Sequence, residues 1–277
     1  VKCKHPFRRG LLEAGCGRCL PCRINRQRLW CIRLVLEAGQ HPHNSFVTLT
    51  YDAEHYPASG CVSVREAQLF LKRLRQRVGS FRYYLVGEYG ERTWRAHYHA
   101  LLFGLRDGSG VSEAWGQGRV HVSGVGPESA AYVAGYCLKG LHNEKGMRWA
   151  GLSLTPEFCL MSRKPGIGSA AADRIGSFLS SSAAVASQQM NVPSVVRQSQ
   201  KLWPLGRYLK ARVAAGCGID KDSAAEVRQL REAEVLKGMG QIELNEWIEH
   251  ASGVSEQSGF RASTRAKRMS LERRTKL

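Results

Sequence analysis

Two β-favouring runs separated by a few polar residues constrain this chain more than any other feature. Residues 83–88 (Tyr-Tyr-Leu-Val-Gly-Glu) and 97–102 (His-Tyr-His-Ala-Leu-Leu) flank a polar stretch around Gly90, Glu91 and Arg92. This pattern predicts a hairpin, and hence an antiparallel sheet. Residues 46–51 alternate apolar and hydroxyl side chains and are ended by Asp52 and a turn-prone stretch to Gly60, which adds another strand. A short strand is expected over 119–122. Interleaved with these are helical periods. Over 23–38, Ile24, Trp30, Cys31, Leu34 and Val35 recur near helical spacing among Arg26, Arg28 and Arg33; over 64–78, Ala67, Phe70, Leu71 and Leu74 share one face of a basic helix. A further helix is expected over 127–139, opening with Pro-Glu-Ser. The expected fold class is α+β, a central antiparallel sheet flanked by helices.

The ends of the chain are different. The first 22 residues are rich in Gly, Arg and Cys and have no apolar period, whereas beyond Met161 the pattern weakens into a Ser-rich stretch, an expected helix over 226–249 and a basic tail over 261–276. Formal charge is +18, with 41 Lys and Arg against 23 Asp and Glu. Such an excess attracts polyanions, and nucleic acid is the leading partner class. There is no run of eighteen apolar residues and no signal-type apolar core, so the expectation is a chain that neither spans a membrane nor is secreted, and that works in a cytoplasm.

The chemistry concentrates in two places. On a strand, His97 and His99 project to one face, so both imidazoles can hold one divalent ion. Across the expected hairpin Glu88 is the best placed carboxylate for a third ligand, with Glu91 as the alternative. Two His and one carboxylate leave open positions on Mg²⁺ or Mn²⁺, which can polarise a phosphoryl oxygen. On the helix over 127–139, Tyr132 and Tyr136 lie four apart on one face, with Lys139 on the same side. A phenol with a pKa of about 10 needs an activated phosphate or nearby positive charge to act as a nucleophile. Gly135 between them costs about 1 kcal/mol relative to Ala, which points to close approach of another group. Separately, Cys16, Cys19 and Cys22 at three-residue spacing, with Cys3 as a fourth thiolate or His5 in its place, form a candidate structural Zn²⁺ site. Arg23, Arg26, Arg28, Lys72 and Arg73 are candidate phosphate contacts. Trp94 is a candidate for stacking on an unpaired base, with burial the competing reading.

In order along the chain, Phe46-Val47-Thr48-Leu49-Thr50-Tyr51-Asp52, His97-Tyr98-His99 and the Tyr132 to Lys139 helix resemble the three motifs of the HUH endonuclease superfamily. The likeness is greatest to replication initiators of microviruses, especially their gokushovirus-like branch. It also takes in Val86-Gly87-Glu88-Tyr89-Gly90, Cys16-Gly17-Arg18-Cys19-Leu20-Pro21-Cys22-Arg23 and the stretch 161–168, and so covers about the first 170 residues.

The resemblance implies an HUH endonuclease-like catalytic domain over 23–170, preceded by the Cys-rich segment 1–22 and followed by an extension over 171–277. It implies that His97, His99 and an acidic partner hold the ion, and that one tyrosine attacks single-stranded DNA at a replication origin, leaving a 5′-phosphotyrosine and a free 3′-hydroxyl. The second tyrosine would cut the regenerated origin after a round of rolling-circle replication in a bacterial host, with Lys139 neutralising phosphate charge. No Gly-x-x-x-x-Gly-Lys-Ser/Thr loop is present, so unwinding and extension would fall to a host helicase and DNA polymerase. The competing readings are a non-catalytic zinc-containing DNA-binding protein and a transposase or relaxase of the same superfamily.

Overall fold

The computed structural model describes residues 2–9, 12–139, 153–181, 192–198 and 200–219, which divide between Cys22 and Arg23 into two compact units. In the first, β1 (Phe7–Arg9) and β2 (Leu12–Ala14) pair antiparallel. Helix α1 (Leu20–Ala38) begins three residues before its apolar period, because Pro21 fits a first turn whose amides have no partner in the helix.

The second unit is built on β3 (Asn44–Thr50), α2 (Val64–Val78), β4 (Arg82–Tyr89), β5 (Ala96–Phe103), α3 (Val111–Trp115), β6 (Val120–Gly124), α4 (Pro127–Lys139) and β7 (Phe158–Met161). The five strands form one antiparallel sheet in the order β6-β3-β5-β4-β7. The α+β class read from the sequence is therefore the observed one, and β4 and β5 form the expected hairpin.

Alternation along the strands separates two cores. On one face Val47, Leu49, Leu85, Tyr98, Ala100 and Leu102 pack against Ala67, Phe70, Leu71 and Leu74 of α2 and Trp115 of α3. The face of α2 read from its periodicity is the buried one. This helix is also well capped, since Ser63 accepts the Glu66 amide at 3.2 Å and Gly79 ends it with a φ of 83°. On the other face Tyr84, Val86, Leu101 and Phe103 meet Cys31 and Leu34 of α1 and Ala130, Val133 and Ala134 of α4. The sheet thus has α2 and α3 on one side, and α1 and α4 on the other.

A buried carboxylate fastens this second layer. Glu37 of α1, 2% exposed, pairs with Arg82 of β4 and accepts the Gly168 amide at 2.6 Å. Arg82 also donates to the Pro165 carbonyl at 2.8 Å, and Arg33 donates to the Ile167 carbonyl at 3.0 Å. The Ser-Arg-Lys-Pro-Gly-Ile-Gly loop is thereby tied to both α1 and the sheet.

Beyond it come α5 (Ser169–Ser181), β8 (Val195–Gln198), β9 (Lys201–Pro204) and α6 (Gly206–Gly216). Helices α5 and α6 approach so closely that a Cβ on Gly176 would lie 2.7 Å from the Val213 carbonyl, and Ala172, Leu205, Leu209 and Val213 form their core. Sequence periodicity is weak here because small residues, not a broad apolar stripe, make the contact. The compact unit runs to Ile219, past the position 170 at which the sequence pattern weakens. The expected helix over 226–249 and the basic tail lie outside the described residues. No helix among the described residues is long and apolar enough to cross a membrane.

Candidate metal and nucleophile site

The β4–β5 ladder places Glu88 directly opposite His97, and His99 two residues further along the same face of β5. Glu88 Oε1 lies 2.8 Å from His97 Nε2 and 3.0 Å from His99 Nε2, and the three ligand atoms fall within 4.8 Å of one another. Glu88 is 2% exposed and His99 6%, so this is a built cluster and not a chance meeting of surface side chains. Burial pushes the Glu88 carboxyl up, and hydrogen bonds from His97 and His99 more than offset it, holding the group below the usual carboxylate range.

The outer nitrogens of both rings are held. His97 Nδ1 is 3.0 Å from the Arg95 carbonyl, which only accepts, so this nitrogen carries the proton and a neutral ring turns its Nε2 lone pair toward Glu88. A lone pair facing a carboxylate at 2.8 Å requires a proton or a cation between them. His99 Nδ1 is 2.9 Å from Thr48 Oγ1 on β3. Two imidazoles and one carboxylate converging through fixed rings suit a divalent ion with open positions. Glu91, the alternative ligand, is exposed in the turn beyond β4 and lies outside this trio.

Tyr132 stands over the trio. Its ring meets His99 edge-on, with centroids 5.3 Å apart at 87°, while Phe46 lies nearly parallel to His99 at 5.7 Å. The Tyr132 side chain is 48% exposed and borders two clefts. One, of about 840 Å³, has His99, Phe46 and Ser123 in its walls; the other, of about 550 Å³, has Glu88, His97 and Glu91. Gly135 has the close neighbour that its position suggested: a Cβ there would lie 3.1 Å from Gln27 Nε2, which donates to the Ala131 carbonyl at 3.0 Å. Tyr136 and Lys139 occupy the last turns of α4, and their side chains lie outside the described residues.

The basic residues part company. Arg23, Arg26 and Arg28 are on α1, in the same layer as α4, with Arg26 exposed and Arg28 donating to the Leu202 carbonyl at 3.1 Å. Lys72 and Arg73 are on α2, across the sheet from the trio, and Arg73 donates to the Ala114 carbonyl at 2.7 Å, closing the end of α3. Trp94 is half-buried at a φ of 54° and packs on the α2 side of the sheet. Sequence reasoning missed Gln27, Phe46 and Thr48. The alternation of β3 carried the signal for the last two, since Phe46, Thr48 and Thr50 share the face that pairs with His99 and His97.

In the first unit, Cys3, Cys16, Cys19 and Cys22 bring their sulfurs within 4.8 Å of one another. Cys3 and Cys19 are 3.6 Å apart and Cys16 and Cys22 4.0 Å, far beyond a disulfide bond of about 2.05 Å. A tetrahedral ZnS₄ centre with bonds of about 2.3 Å would set its sulfurs about 3.8 Å apart. The amides of His5 and Cys16 point at Cys3 Sγ, each at 3.3 Å. Cys3 completes the cluster, and the His5 ring is not part of it. The Lys4 amide leads the groups that lower the Cys19 thiol to about 6.

Residues 44–141 match the model of a family of replication-associated proteins, the ORF2 family. The chain is 31% identical over 152 residues to replication-associated protein VP4 of Bdellovibrio phage phiMH2K, covering 46% of this chain and 48% of that protein. It is 33% identical over 182 residues to replication-associated protein ORF2 of Spiroplasma virus 4, 55% of each chain, and 29% identical over 107 residues to replication-associated protein ORF4 of Chlamydia phage 1, 37% of this chain and 27% of that one. The chain thus spans about half the length of the first two relatives. No solved structure matches it. The matched segment runs from β3 through α4 and contains Glu88, His97, His99 and Tyr132, and together with the three phage relatives it supports a microvirus-like replication initiator.

Proposed function

We propose that this chain nicks single-stranded DNA at a replication origin and joins itself to the cut end, initiating rolling-circle replication in the cytoplasm of a bacterial host. The observation that carries the reading is the edge-on contact of Tyr132 with His99, which sets a half-exposed phenol beside a cluster fit for a cation. His97, His99 and Glu88 would hold Mg²⁺ or Mn²⁺, which when bound supplies Lewis-acid polarisation of a phosphoryl oxygen. The Arg95 carbonyl and Thr48 orient the two rings. The Tyr132 phenol oxygen attacks phosphorus and the bond from phosphorus to the 3′ oxygen breaks. The phenol loses its proton, the departing 3′ oxygen gains one, and a 5′-phosphotyrosine remains. Tyr136, one turn along α4, is the second nucleophile that cuts the regenerated origin, and Lys139 neutralises phosphate charge. Host enzymes extend and unwind the DNA.

The Cys3, Cys16, Cys19 and Cys22 cluster would hold a structural Zn²⁺ in the first unit, the sulfur spacing being the observation in favour. A zinc-containing DNA-binding protein without catalysis is the alternative that this cluster and the charge permit.

The test is incubation with circular single-stranded DNA and Mn²⁺ followed by denaturing electrophoresis. A protein-linked oligonucleotide is expected, lost in the Tyr132→Phe/Tyr136→Phe double variant. A DNA shift with no cleavage would select the non-catalytic alternative, and mapping of the cut sites separates an origin nickase from a transposase or relaxase.

A further inference from the structure

Strand β6 is the outer strand of the sheet on the side of β3, and four of its five residues are exposed. Open edge strands are an aggregation hazard unless they are covered or used. Its register with β3 sets His121 opposite Thr48, which is itself opposite His99. Arg119, whose carbonyl accepts the Thr50 amide at 3.0 Å, continues this ladder one residue before the strand. By alternation Arg119, His121 and Ser123 share one face, and it is the face of Thr50 and His97, Thr48 and His99, and Phe46. The opposite face is blocked near its middle, where a Cβ on Gly108 would meet Val122 at 2.6 Å. Between residues 114 and 127 there is no carboxylate. The 840 Å³ cleft opens between this edge and the start of α4, with Phe46 and Tyr132 as its aromatic walls and Ser123 and Ser129 as hydroxyls. Gly124 and Gly126 border it, and a Cβ on either would meet nothing within 4 Å.

We infer that the exposed face of β6 is the track that delivers single-stranded DNA to the site, with Arg119 and His121 holding successive phosphates and the cleft walled by Phe46 taking an unpaired base beside the scissile phosphate. The inference rests on the nicking function for its last clause only. Alternate residues of a strand repeat at about 6.6 Å, a spacing that a stretched single strand can follow with its phosphates. The cleft is of ligand-pocket size. Aromatic walls suit a base because every base has a π-face, so stacking there tolerates any sequence. The basic helix α2, the sequence's other strong cluster of cations, is across the sheet from the trio and cannot serve this track.

The test is binding of a fluorescein-labelled oligothymidylate of about 15 nucleotides to the full chain, followed by anisotropy across a salt series with no divalent ion present. Under these conditions cleavage does not intervene, so a failure of the nicking reading is seen separately, in the Mn²⁺ assay. Arg119→Gln/His121→Gln should weaken binding about tenfold near 0.1 M salt and flatten the salt slope by about 0.7 for each lost phosphate contact. Gly124→Leu fills the cleft and should weaken binding with the slope unchanged, while its melting temperature stays that of the parent. As a charge-matched control on α2, Arg65→Gln/Arg77→Gln should change affinity less than twofold. Equal losses from the α2 pair and the β6 pair, or unchanged binding in both β6 variants, would overturn the track. Dimerisation of the chain through β6 in place of DNA binding would overturn it as well.

Discussion

Glu88 stands across the β4–β5 ladder from His97 with its Oε1 2.8 Å from the imidazole Nε2, and the same oxygen reaches His99 Nε2 at 3.0 Å. One carboxylate oxygen therefore serves two rings that are both turned by groups behind them. Replacing Glu88 with Gln keeps the shape and removes the charge that attracts a cation. Cleavage with Mn²⁺ should fall about a hundredfold or more, and titration calorimetry should show weaker Mn²⁺ binding. Undiminished Mn²⁺ affinity in Glu88→Gln would remove this carboxylate from the ligand set.

Thr48 and His99 offer a finer version of the same test. Thr48→Val retains the branched shape on β3 and removes the oxygen 2.9 Å from His99 Nδ1. Loss of such an outer partner costs about 10- to 100-fold in metal affinity or activity. Raising the Mn²⁺ concentration should recover much of the lost cleavage, an effect that simple unfolding would not produce.

Because Tyr132 is half-exposed, its hydroxyl can be removed without disturbing a core. Tyr132→Phe preserves the edge contact with His99 and should alter stability by no more than about 0.5 kcal/mol. Covalent DNA attachment through that position should vanish, as read by mass spectrometry of the adduct after proteolysis.

Gln27 and Gly135 should prove energetically coupled. Alanine at 135 gains about 1 kcal/mol of helix propensity, yet its methyl would lie 3.1 Å from Gln27 Nε2. In a Gln27→Ala background that crowding is gone, so Gly135→Ala should stabilise the chain more there than in the parent. A double-mutant cycle by urea unfolding measures the difference, and strict additivity would show that the two side chains do not press on each other.

Glu37 predicts a larger effect. Its carboxylate is buried and paired with Arg82, and it also accepts the Gly168 amide at 2.6 Å. Glu37→Ala leaves a buried guanidinium and an amide without their partner and should cost about 3–5 kcal/mol in urea unfolding.

Much of this protein was legible in its residues taken locally. Period-two alternation placed β3, β4 and β5, and helical periodicity placed α1, α2 and the buried face of α2, because one-sided burial imposes those periods on any chain. The same alternation set His97 and His99 on one face. Short strands such as β7, whose four residues are all half-buried, carry no such contrast. Helices α5 and α6 meet through Gly176 and Gly216, residues that weaken an apolar stripe.

By itself, the sequence determined the antiparallel hairpin, the pairing of two imidazoles and the nearness of a carboxylate, since all three follow from register across a single ladder. Only the tertiary structure decided which layer each helix joins. It put α4 with Tyr132 over the imidazoles and α2 with its arginines behind the sheet, and it assigned Gln27, Thr48 and Glu37 their partners. Contacts between elements distant in sequence depend on how faces of the sheet are shared out when apolar stripes are buried together, and no local pattern records that choice.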